Sequence, residues 1–222
     1  MKKVKLSFYL AIGFIMAFVL WTVLVRFVDV KEIGPNNSMV GFATLNAFVS
    51  EHTGSNMNLY IITDWLGLVP VAFMLVFAVV GLVQWVKRRA IYKVDCDILV
   101  LGVYYLIVFA IYMFFEYVVI NYRPVLINGY LEASYPSSTT MLVLCVMPTA
   151  IMQLNKWIKN TALKNILSIT IGVFIVFMVL GRFLSGVHWF SDIIGGILFS
   201  VAMVASYYSA CTFCSFIKKQ KI

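Results

Sequence analysis

Six apolar runs, most of them near 20 residues long, divide this chain and leave few folds open to it. A helix of about 20 apolar residues is what crosses a hydrocarbon core about 30 Å thick. In lipid every backbone N–H and C=O must be paired within the chain, so such runs fold as helices. They predict spans at Ser7–Val28, Trp65–Val86, Ile98–Ile120, Ser137–Leu154, Ile166–Leu180 and Asp192–Phe213, the fifth able to run on toward Ser185. Of the 222 residues, 63% are hydrophobic and 12% are charged, against about 25% charged in soluble domains. The expectation is an all-α integral membrane protein, one six-transmembrane-helix bundle over residues 1–222, with no separate soluble domain. Trp21, Trp65, Trp85, Trp157 and Trp189 fall near the proposed ends, where interfacial aromatics belong.

The net charge of +8 would suit nucleic acid, but its placement argues for lipid. Of the 17 basic residues, all but Arg26, Lys31, Arg123 and Arg182 lie at the two termini or between spans two and three and spans four and five. Lys2, Lys3 and Lys5 precede the first run, and Lys218, Lys219 and Lys221 close the chain. This is the positive-inside pattern, and it predicts cytoplasmic N- and C-termini in a multi-pass protein of the cell (plasma) membrane. The basic start followed by an apolar run looks like a signal sequence, but Ser7–Val25 is too long for one and no small-residue cleavage site follows, so a retained first span is expected. Cys96, Cys145, Cys211 and Cys214 fall in spans or near their cytoplasmic ends, where disulfides are not expected.

Three segments then face outward: Asp29 to about Asp64, with a turn at Gly34–Ser38 and a short interfacial helix through Phe42–Val49; Asn121 to Pro136; and Gly181 to Ser191. The last two hold most of the unusual polar residues. Ionisable groups in or beside spans are costly and by default functional. Arg123 and Arg182 each end an apolar run, and the guanidinium fork matches phosphate oxygens. His188 and Asp192 are spaced i, i+4, which on a helix puts them on one face, with the carboxylate holding the imidazole in one tautomer. An imidazole so held, beside two arginines, is a nucleophile for phosphorus.

With these residues the chain resembles the phosphatidic acid phosphatase type 2 superfamily, the membrane relatives of vanadium haloperoxidases. The family's Lys-x6-Arg-Pro motif is met by Glu116, six residues and Arg123-Pro124; its Pro-Ser-Gly-His by Pro136-Ser137-Ser138-Thr139; its Ser-Arg-x5-His-x3-Asp by Gly181-Arg182, five residues, His188, three residues and Asp192. The motif region is 116–192. The resemblance implies a phosphohistidine at His188, oriented by Asp192, and a phosphate clamp of Arg123 and Arg182. It further implies donors from Ser137, Ser138 and Thr139 at a helix N-terminus, and neither cofactor nor metal. The substrate it implies is a membrane lipid phosphate or diphosphate, with no nucleic acid partner, handled at the outer face, its tail entering laterally between helices.

Two positions depart from the motifs. Glu116 stands where the family has a phosphate-binding lysine, and the expectation is that its carboxylate pairs with Arg123 or Arg182. Thr139 stands where the family has the histidine that protonates the leaving group. Loss of a general acid costs about 10²–10⁴ in rate. A phosphate leaving group, with its second pKa of about 6, needs that proton less than an alkoxide does. The departures therefore favour a lipid diphosphate, such as a polyprenyl diphosphate, over phosphatidic acid. The alternative is a catalytically silent member that binds lipid phosphates or acts as a scaffold. His52 beside Glu51 is the other histidine of the chain, expected to be a solvated loop residue.

Overall fold

The computed structural model describes residues 2–220, with side chains described for residues 5–217. The side chains of Lys2, Lys3, Lys218, Lys219 and Lys221, on which part of the charge pattern rests, lie outside the described residues. Eight α-helices follow in order: α1 Lys2–Phe27, α2 Ala43–Thr53, α3 Met57–Leu66, α4 Leu68–Arg88, α5 Cys96–Tyr117, α6 Ser138–Trp157, α7 Thr161–Leu184 and α8 Phe190–Gln220. Two short strands, β1 Lys31–Glu32 and β2 Met39–Val40, pair antiparallel between α1 and α2. Six helical stretches are long and apolar enough to cross a membrane, with α3 and α4 together making the second. The protein is a multi-pass membrane protein built from a helical bundle.

α6 sits deepest in the bundle. It is the least apolar of the six and the most enclosed, and its polar groups find partners inside. Thr149 donates to the Val146 carbonyl (2.8 Å), Tyr104 to the Cys145 carbonyl (3.0 Å) and Ser200 to the Met141 carbonyl (3.2 Å). Leu101, Tyr105 and Val108 of α5 and Phe199 and Tyr207 of α8 close the core around Met141, Cys145, Val146 and Ala150. α1 lies along α8, and most of its other apolar faces are exposed, as suits a helix in lipid.

Several elements differ from the expectation. α2 covers the short helix expected through Phe42–Val49, starting one residue later and running four residues beyond it. α3 occupies sequence read as outer loop; Asn56 caps it by accepting the Leu59 N–H at 3.0 Å, a strong helix-start signal. It packs against the end of α7 because residue 181 has no side chain: a Cβ there would stand 2.7 Å from Thr63 Cγ2. The segment 121–136 is a hairpin. Ile127 and Tyr130 exchange both backbone bonds (3.0 and 2.9 Å) around Asn128-Gly129, both at positive φ, as a two-residue hairpin loop requires. Its register pairs Arg123 N–H with Glu132 O (3.0 Å) and Ser134 N–H with Asn121 O (2.9 Å).

The cysteine expectation is overturned. Cys96, at the start of α5, is disulfide-bonded to Cys214, near the end of α8, with Cα atoms 6.4 Å apart, inside the usual range for a bridge. The pair is 118 residues apart in sequence, so no local spacing announces it. Cys145 and Cys211 are free and buried.

Candidate active site

The turn between α7 and α8 carries His188. Gly186 makes the turn at φ +65°, with the Gly54 carbonyl so close that a Cβ would lie 1.9 Å from it. Asn56 N–H donates to Ser185 O at 2.9 Å, tying the turn to the start of α3. α8 begins at Phe190, so His188 precedes the helix and the expected shared helical face does not form. Asp192 instead reaches back to the Trp189 N–H (3.1 Å), the return bond of an acidic residue in a helix's first turn.

Asp192 is fully buried and surrounded by donors: Ser134 Oγ at 2.6 Å, Asn121 Nδ2 at 2.9 Å and Ser191 Oγ at 3.3 Å, besides Trp189 N–H. Its expected direct hold on the imidazole is replaced by a serine. His188 Nδ1 lies 3.1 Å from Ser134 O and 3.0 Å from Ser134 Oγ. A carbonyl only accepts, so Nδ1 carries the proton. Nε2 then accepts from Arg123 Nη1 at 3.3 Å. Burial, followed by the charges of Arg123 and Arg182, holds His188 well below the usual imidazole pKa, against a raising effect of the Ser134 carbonyl.

Both guanidiniums are buried and both face the ring of Tyr60 on α3, Arg182 at 4.7 Å and Arg123 at 5.9 Å from its centroid, within cation–π range. Arg182 makes long bonds to Tyr60 O (3.4 Å), Thr63 Oγ1 (3.3 Å) and Asp64 Oδ1 (3.5 Å). Arg123 Nε stands 3.1 Å from Glu132 Oε2 as an ion pair. Neither Nε is hydrogen-bonded among the described residues. Two buried cations with unsatisfied donors form a site that gains from an anion.

The start of α6 contributes less than expected through Ser137. Its hydroxyl donates to Thr140 Oγ1 (3.0 Å) and its N–H to Asp192 O (3.1 Å). The first intrahelical bond of α6 runs from Met141 N–H to Ser137 O, which leaves the amides of Ser138–Thr140 as the open donors of the helix end. Ser138 and Thr139 line, with Asp64 and Tyr112, the polar end of a cavity of about 390 Å³ that continues between apolar residues of α4 and α5. Glu116 corrects another expectation. It is exposed, interacts with the Tyr112 hydroxyl one turn earlier, and leaves the arginines to Glu132 and Asp64. His52 on α2 is exposed, bonded to Phe48 O (2.7 Å) and packed at a tilt against the Phe48 ring.

Sequence reasoning missed Tyr60, Asp64, Asn121, Glu132 and Ser134. Asp64 and Glu132 are ionisable groups beside spans, and the rule that singled out the arginines reaches them too. Asn121, Ser134 and Tyr60 carry no such signal.

No protein-family model and no curated protein matches the sequence. Among solved structures, the chain is similar to a transmembrane PAP2-type phosphatidylglycerolphosphate phosphatase from Bacillus subtilis. The match has a TM-score of 0.56 and 19% identity, over 96% of this chain and 97% of that one. The similarity is one of fold.

Proposed function

We propose that this chain, which has the fold of a PAP2-type membrane phosphatase, removes phosphate from a lipid phosphate or diphosphate through a phosphohistidine at His188. The observation that carries this reading is the convergence of a neutral, Nδ1-protonated His188 with two buried guanidiniums whose Nε atoms make no hydrogen bond among the described residues. His188 Nε2 attacks the terminal phosphorus while Arg123 and Arg182 take the charge on its oxygens. The bond from phosphorus to the leaving oxygen breaks, and that oxygen keeps the electron pair. Water then attacks phosphorus, the P–N bond returns its pair to Nε2, and the water proton leaves with phosphate or to solvent.

The leaving-group side supports a diphosphate substrate, with a lipid monophosphate as the departing group. Thr139 and Ser138 offer hydrogen bonds but no acid near neutral pH, and a phosphate leaves with less need of one. The cavity between α4 and α5 gives a tail a lateral path from the polar end. Both termini on the cytoplasmic side and the site on the outer side is the orientation that the basic residues favour.

The test is phosphoenzyme trapping with a lipid diphosphate labelled at its terminal phosphate. Wild type is expected to hold acid-labile label that His188→Ala lacks. Absence of label in both proteins would turn the assignment to the second reading, a silent lipid-phosphate binder, which the Glu132 and Asp64 carboxylates on the arginines favour. In steady state, faster hydrolysis of phosphatidic acid than of a polyprenyl diphosphate would sink the diphosphate preference.

A further inference from the structure

We propose that Ser134 sets the tautomer of His188, and that Asp192 acts on the imidazole only through the Ser134 hydroxyl. The kinetic part of this inference rests on the phosphohistidine reading; the tautomer part does not.

The geometry assigns each proton. Asp192 receives four hydrogen bonds, all from groups that can donate, which is the environment of an ionised, acceptor-only carboxylate. The single proton of the Ser134 hydroxyl therefore points at Asp192 Oδ2, 2.6 Å away. That leaves the Ser134 oxygen's lone pairs facing His188 Nδ1 at 3.0 Å. The Ser134 carbonyl faces the same nitrogen at 3.1 Å. One N–H is shared between two acceptors of one residue, and neither acceptor is the carboxylate.

Ser134 is held for this purpose by the hairpin. Its N–H donates to Asn121 O, and the Asn121 side chain donates to Asp192 Oδ1 at 2.9 Å while accepting the Gly41 N–H at 3.1 Å. Ser134, Asn121 and Asp192 are all buried. When Nε2 bonds to phosphorus, positive charge develops on the ring and the hydrogen bond donated by Nδ1–H strengthens. Ser134 accepts that bond, and its hydroxyl, polarised by Asp192, passes on the carboxylate's influence.

A carboxylate that itself holds a catalytic tautomer is unforgiving: its amide replacement costs about 10⁴-fold by letting the wrong tautomer form. Here the carbonyl, which no side-chain substitution removes, keeps the proton on Nδ1. A partner one step removed from the reacting group costs about 10–100-fold when lost.

The experiment combines ¹⁵N NMR of histidine-labelled protein in nanodiscs with single-turnover phosphoenzyme formation from labelled lipid diphosphate. Wild type and Asp192→Asn are both expected to show His188 protonated at Nδ1. Asp192→Asn and Ser134→Ala should each slow phosphorylation about 10–100-fold without raising KM. The double variant should be no slower than the slower single one, since both changes cut the same link. Ser134→Thr, which keeps the hydroxyl, should recover most of the rate. A shift of the proton to Nε2 in Asp192→Asn, a normal rate in Ser134→Ala, or multiplying effects in the double variant would overturn the proposal. A wild-type His188 protonated at Nε2 would overturn it without any variant. If wild type forms no phosphoenzyme, the functional reading falls, and the NMR comparison still decides the tautomer.

Discussion

At His188, burial and the two neighbouring guanidiniums push in one direction, and the consequence is legible in pH. The folded pKa is depressed while the unfolded imidazole titrates near 6.5. Stability from keeping this ring neutral is therefore complete above about pH 6.5 and is lost as pH falls below that toward the folded value. In function, the Nε2 lone pair survives mild acid. The acid limb of kcat/KM, which reports the free enzyme, should lie well below pH 6.5 as far as His188 sets it. Arg123→Gln removes one of the two charges and should move that limb upward. Substrate phosphate titrates near pH 6 in both proteins, so the difference between the two profiles is the informative quantity, and an unmoved limb refutes the assignment. The residues that could be found in advance were those costly to place in an apolar run: Arg123, Arg182, His188 and Asp192. Ser134 and Asn121 were hidden because small polar residues in a polar loop create no contrast. Only the hairpin register shows that they meet Asp192.

Among the elements, α3 was the least legible and matters most to the placement of the two arginines. Met57–Leu66 closes with Thr63-Asp64-Trp65-Leu66, and the polar Thr63-Asp64 step breaks the apolar run that α4 continues. What seats α3 is the absence of a side chain at residue 181. The motif resembled here has serine at that position, and serine would collide with Thr63. Gly181→Ser should lift α3 from α7 and lengthen the Arg182 contacts to Thr63 and Asp64. The expected result is weaker binding of inorganic phosphate with a smaller loss of thermal stability, measured by calorimetry and a detergent melt. Gly186→Ala tests a harder constraint. The left-handed conformation costs a non-glycine residue of order 1–3 kcal/mol, and here the Gly54 carbonyl also occupies the Cβ position. Its melting temperature should fall by more than that of Gly181→Ser; an equal or smaller loss would show that the turn relaxes. The six spans themselves were readable because lipid permits so few answers to a long apolar run.

For the whole molecule, the first turns of α1 lie beside the last turns of α8, and the His188 site sits at the opposite end of α8. At the far end of α8 from His188, the Cys96–Cys214 bond joins the start of α5 to the last turns of α8. Of the four cysteines, Cys145 and Cys211 are the free ones. Thiol titration of the denatured, unreduced protein should therefore find two reactive groups, and four after reduction; four before reduction would remove the bond from the description. Sequence could not foresee it, because only the packed bundle brings residues so distant in sequence to bonding range.

One aromatic ring links this assembly to its chemistry. Tyr60 faces both Arg123, carried by the hairpin, and Arg182, carried by α7, though it belongs to neither element. The two guanidiniums are thus set against a common reference surface. A disturbance of that surface changes their spacing and aim together, so tolerance for error in the site is set by a residue with no charge to lend. Tyr60→Ala should weaken phosphate binding more than the loss of either cation–π contact alone, and Tyr60→Phe should retain most of it, since both cation–π contacts are made to the ring.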